Sequence, residues 1–89
     1  MVNNRRSEIE IISKILILSK DGAKKTDLLY QGNLSYTQLK KYLSFLLERH
    51  LLEERIVKNN GSSGKCYKPT EKGLNFLKDA NKVMIYLAA

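Results

Sequence analysis

Residues 26–70 read TDLLYQGNLSYTQLKKYLSFLLERHLLEERIVKNNGSSGKCYKPT, and this stretch decides the fold. Leu28 and Leu29 mark a short helical segment over residues 24–31, closed by Gly32. After Asn33-Leu34, Ser35 and Gln38 stand in capping-box spacing and open a longer helix over 35–49. In it Leu39, Leu43 and Leu46 recur at helical spacing, helped by Tyr42 and Leu47. Two helices joined by a tight glycine-containing turn form the helix-turn-helix pattern. Ile56-Val57 then lead into the polar cluster Asn59-Asn60-Gly61-Ser62-Ser63-Gly64, and Lys65 to Lys68 read as the return strand. Asn-Gly between strand formers signals a hairpin, here spanning 52–68 with a long turn.

Upstream, residues 1–6 read as a polar, basic arm, and Ser7 with Glu10 can start a helix over 7–20. Ile9, Ile12, Leu16 and Ser19 follow helical spacing, and Asp21-Gly22 ends the run. Downstream, Pro69 closes the hairpin, and Thr70 is an N-cap for a helix over 71–87, with Glu71 in its first turn. The expected class is α+β, mostly α: one domain over 1–89, a winged helix-turn-helix with a β-hairpin wing and a C-terminal helix.

The chain has 89 residues and a formal charge of +7. All nine carboxylates lie outside two windows. Between Asp27 and Glu48 only Lys40 and Lys41 are charged; between Glu54 and Glu71 the charges are Arg55, Lys58, Lys65 and Lys68. Duplex DNA carries one negative charge per ~1.7 Å of axis, so an acid-free basic surface suits it. The expected partner is therefore double-stranded DNA. A purely protein-binding winged helix and an RNA binder are the alternatives; the acid-free windows disfavour the first, and the deep, narrow major groove of duplex RNA the second.

On this reading Ser35, Tyr36, Thr37 and Gln38 face the major groove, where Gln38 would pair with adenine and Thr37 would touch a thymine methyl or a phosphate. Lys40 and Lys41, with Ser44 on the same side, act on phosphates. Lys24, Lys25 and Thr26 offer a phosphate site at a helix start. In the wing, Lys58, Asn59, Asn60, Ser62, Ser63 and Lys65 combine charge with short donors. Arg5 and Arg6 would reach a minor groove.

No catalytic constellation is legible, and no metal site or cofactor is expected. His50 stands alone where the third helix ends, and Cys66 is the only cysteine, which excludes an internal disulfide and fits a reducing compartment. No apolar run approaches the ~20 residues of a membrane span, and no signal peptide is evident. A cytoplasmic, nucleoid-associated location is expected.

The last helix carries more apolar surface than one contact needs. Leu74, Leu77, Ala80, Met84, Leu87 and Ala88, widened by Phe76, Val83 and Ile85, cover roughly 200° against the ~100° of a one-sided helix. A homodimer is expected, with Leu77, Ala80, Met84, Leu87 and Ala88 at its interface.

The order Glu10-Ile11-Ile12, Ile15-Leu16, Gly22, Lys25-Thr26, Tyr30, Asn33-Leu34-Ser35-Tyr36, Tyr42, Leu46 and Tyr67-x-x-Thr70-x-Lys72-Gly73 resembles the small archaeal winged-helix DNA-binding proteins grouped with chromatin proteins. The resemblance spans residues 8 to about 78. It implies a dimer, paired through an antiparallel coiled coil of C-terminal helices, that binds duplex DNA as a regulator or as an architectural protein. Two departures stand out: about 19 residues follow Thr70, roughly 28 Å of helix, so a long coiled coil is not available, and the hairpin looks longer.

Overall fold

A computed structural model describes residues 4–59 and 61–88, with side chains described for 8–58 and 61–86. The elements run α1 (Asn4–Leu18), α2 (Lys25–Gln31), α3 (Tyr36–Glu48), β1 (Leu52–Asn59), β2 (Ser62–Pro69) and α4 (Glu71–Ala88).

α1 buries Ile12, Ile15 and Leu16, the i, i+3, i+4 face of a helix, and the buried Ser19 follows just past its end. It begins at Asn4, so Ser7 lies inside the helix and does not cap it. Nothing in Asn4-Arg5-Arg6 breaks a helix, and arginine is a good helix former. Residues 4–6 of the expected basic arm are therefore helical; residues 1–3 and the side chains of Arg5 and Arg6 lie outside the described residues. Ser19 Oγ donates to the Leu16 carbonyl at 3.2 Å, whereas the buried Ser13 Oγ has no hydrogen-bond partner.

Between α2 and α3 the backbone turns at Asn33, which takes φ +54°, while Gly32 stays at φ −80°. Gly32 is needed for space: a Cβ there would meet the Leu28 carbonyl oxygen at 2.4 Å. α3 then sends Leu39, Tyr42, Leu43 and Leu46 into the core formed with α1, Leu28, Leu51, Leu52 and Tyr67. His50 ends this segment at φ +58°.

The hairpin differs from expectation in its turn. The register runs from Leu52↔Pro69 to Asn59↔Ser62, so pairing continues to Ser62, the residue after Gly61. Gly61 has φ +82°, as tight two-residue turns demand. Ser62, Ser63 and Gly64 belong to β2, so the wing is long because its strands are long. Ala23 adds an isolated antiparallel bridge to this two-stranded sheet, exchanging hydrogen bonds with Tyr67 at 2.7 and 3.0 Å.

The Tyr67–Gly73 motif ties α4 to the rest. Thr70 Oγ1 donates to the His50 carbonyl at 2.6 Å and accepts from Gly73 N at 2.9 Å, capping the helix. Lys72 Nζ donates to the Arg49 carbonyl at 3.0 Å. A Cβ on Gly73 would sit 1.9 Å from the Leu51 carbonyl oxygen, so only glycine lets α4 approach this closely. Tyr67 Oη donates to Glu54 Oε2 at 2.9 Å across the hairpin.

Candidate nucleic-acid interface

α3 opens with the reciprocal cap expected from its sequence. Gln38 N donates to Ser35 Oγ at 3.1 Å, and Ser35 N donates to Gln38 Oε1 at 3.0 Å. The Gln38 amide is thus engaged on its own backbone, and a bidentate contact to adenine would require breaking that cap. Besides Gln38, the exposed side chains of the first turns are Tyr36, which is 62% exposed, Thr37, Lys40 and Lys41.

Adjacent helical residues project about 100° apart, so Lys40 and Lys41 leave α3 on different flanks. Lys41 lines a groove toward α1 and α4, with its Nζ 5.5 Å from the Tyr42 ring centroid. Ser44 lines the same groove, as do Glu8 and Glu48. Ser44 stands one turn after Lys40 and remains exposed beside it, so the groove begins at the edge of the exposed face of α3 that also carries Thr37 and Lys40.

Elsewhere it brings residues together. α2 packs beside β2, and Lys24, Lys25, Thr26, Gly64, Lys65 and Tyr67 line one shallow cleft. A second cleft adds Val57, Ser62, Ser63 and Cys66 to Lys24 and Lys65. Three ammonium groups from distant stretches thus share one surface. Thr26 is exposed. Asp27 Oδ2 accepts from Lys24 N at 3.2 Å, so a carboxylate already occupies part of the α2 start. Lys58 is exposed on β1; the side chains of Asn59 and Asn60 lie outside the described residues.

Two acidic contacts temper the wing's charge. Arg55 Nε donates to Glu53 Oε1 at 2.7 Å, and Lys65 Nζ lies 3.8 Å from Glu54 Oε1. Burial, then the hydrogen bond and the negative charge of Glu54, push the Tyr67 hydroxyl up to about 12, so it stays protonated and donates. Sequence reasoning did not single out Glu54 or Tyr67 as a pair, because their link depends on the hairpin register.

Hairpin, turn and third helix together form a winged helix-turn-helix, and the winged helix-turn-helix family matches residues 5–86. The chain belongs to the winged helix-turn-helix family. No curated protein sequence matches the chain. Among solved structures, it is similar to Sso10a-2, a DNA-binding protein from Sulfolobus solfataricus, with 25% identity, TM-score 0.75, and coverage of 90% of this chain and 80% of that one. A PadR-like transcription factor from Bacteroides fragilis shares 26% identity at TM-score 0.71, covering 97% of this chain and 93% of that one. ZitR from Lactococcus lactis, solved in complex with DNA, matches at 19% identity and TM-score 0.65, covering 81% of this chain and 49% of ZitR; that likeness concerns the fold alone.

Within the family frame, α3 is the second helix of the helix-turn-helix and β1–β2 is the wing. Of the residues expected at a dimer interface, Ala80 is buried within the protomer and Leu77 and Met84 are half-buried. Leu87 and Ala88 side chains lie outside the described residues. The exposed apolar side chains of α4 are instead Leu74, Val83, Ile85 and Tyr86. Among the described residues no helix is long and apolar enough to cross a membrane.

Proposed function

We propose that this protein is a dimeric, non-enzymatic binder of double-stranded DNA with weak sequence discrimination, acting as an architectural DNA protein rather than as a single-site regulator. The first turn of α3 enters the major groove, and the wing lies on the backbone or in the adjacent minor groove. The observation that carries this reading is the cluster of Lys24, Lys25 and Lys65, assembled from α2 and the wing on one exposed surface. Phosphate contacts of this kind position a protein on DNA without reading sequence. The base-reading set is thin. Gln38 is the one side chain of α3 suited to bidentate recognition of adenine, and its oxygen is held in the helix cap. That leaves Tyr36, Thr37 and Lys40, none of which carries the amide that pairs bidentately with adenine. The description of Sso10a-2 as a DNA-binding protein supports the DNA assignment, and the PadR-like transcription factor keeps the regulator as the competing role.

The experiment is a competition assay between one labelled duplex and a random-sequence pool. Comparable competition by the pool supports the architectural reading. Strong preference for one recovered sequence replaces it with a regulator, and absence of duplex binding at low salt removes the DNA assignment. Equal binding to duplex RNA would shift the reading to shape recognition of RNA.

A further inference from the structure

One flank of α3 carries Tyr36 and Lys40; another borders an apolar groove. Ile9 and Ile12 of α1, Tyr42 and Phe45 of α3, and Phe76 of α4 line an open cleft of about 580 Å³. Its rim is formed by Glu8, Lys41, Ser44 and Glu48. In a basic chain this acidic rim is unsuited to phosphate, and the large apolar lining is unsuited to water.

The same chain carries a matching surface. Val83, Ile85 and Tyr86 near the end of α4 are 46%, 67% and 83% exposed. Val83 follows Phe76 by two helical turns, so the apolar face of α4 runs from the groove wall into the exposed end of the helix. Val83 and Tyr86, three residues apart, form one ridge. Lys78, Asp79 and Lys82 stand close to it on the helix. The two carboxylates and one ammonium group on the groove rim are opposite in net sign to the two ammonium groups and one carboxylate around the ridge. Groove and ridge share α4, so a two-fold axis lets each copy give one and receive the other.

We infer that the α1–α3–α4 groove receives the Val83–Tyr86 ridge of a second copy of this chain. This rests on the dimer reading above and specifies its contact: the end of α4 packs between α1 and α3 of its partner, rather than only alongside the partner's α4. The contact ties each recognition helix directly to the opposite protomer.

Light scattering at micromolar concentration, with variants mixed and unmixed, tests the inference. Phe45→Lys fills the groove with charge and Val83→Glu does the same to the ridge; each alone weakens dimerisation tenfold or more. An equimolar mixture regains dimer, because one of its two contacts is intact and the other sets lysine against glutamate. Glu8→Lys with Glu48→Lys reverses the rim at exposed positions that leave the core untouched. It weakens dimerisation and is rescued by Lys78→Glu with Lys82→Glu in the mixed sample. If circular dichroism shows Phe45→Lys unfolded, the rim variants decide. A monomeric unmodified chain overturns the dimer reading and this inference with it. A dimeric chain whose Phe45→Lys and rim variants stay dimeric overturns the groove assignment alone and leaves the groove to another ligand. Loss of dimer without rescue in the mixtures also overturns it.

Discussion

Removing the lysine cluster at the meeting of α2 and the wing should change how salt controls DNA binding. Lys24, Lys25 and Lys65 line one cleft, and among the described residues no ion pair ties the first two down. Each phosphate neutralised on duplex DNA contributes a log–log salt slope of about −0.9. Lys24→Ala, Lys25→Ala and Lys65→Ala together should therefore reduce the slope by roughly 2.7 per domain, and by about twice that in a dimer bound through both domains. Referred to the affinity at ~1 M salt, the loss at ~0.1 M is roughly 500-fold per domain. The figure is an upper bound, because Lys65 shares its charge with Glu54 at 3.8 Å and releases less than a full counterion. Fluorescence anisotropy of a labelled duplex across a salt series measures both quantities. Lys41→Ala is the control: its ammonium group lies toward the groove on another flank of α3, so the slope should hold. A triple variant that keeps the parent slope would refute the placement of this face on the phosphate backbone.

Gly73→Ala should destabilise the fold by about 1–3 kcal/mol in urea unfolding, because its Cβ meets the Leu51 carbonyl and α4 must shift. Thr70→Ala should cost about 1–2 kcal/mol through loss of the α4 cap, read by the same assay. Ser13→Ala should instead stabilise by about 1 kcal/mol, since it removes a buried hydroxyl with no partner; a destabilised variant would reveal an unseen one. Tyr67 gives a pH signature. Its folded value, about 12, lies above the ordinary 10, so its contribution is complete below pH 10 and is lost as pH rises toward 12. Between those limits the parent should lose about 2–3 kcal/mol more than Tyr67→Phe, and equal losses would break the argument.

Features that depend on neighbours a few residues away were legible in the chain. The leucine spacing of α3 and the Ser35–Gln38 cap follow from helical geometry alone. Asn60-Gly61 announced the hairpin but not its extent. Ser62, Ser63 and Gly64 look like turn residues, yet they form strand because the wing projects from the core and needs no apolar alternation there. Ser7 misled for the opposite reason: a good cap residue does not start a helix when the residues before it also favour one.

The chain by itself determined the order of elements, the acid-free windows and the Tyr67–Gly73 motif, because each is written in residues close in sequence. Only tertiary packing decided what those features do. It set Lys24 and Lys25 beside Lys65, and turned Lys41 toward a groove that only three packed helices can form. It also explained the motif, whose threonine, lysine and glycine all act on the backbone of residues 49–51. The physical reason is range. Capping and periodicity are satisfied within a turn or two of chain, whereas charge clusters and grooves exist only where distant segments are held within a few ångströms.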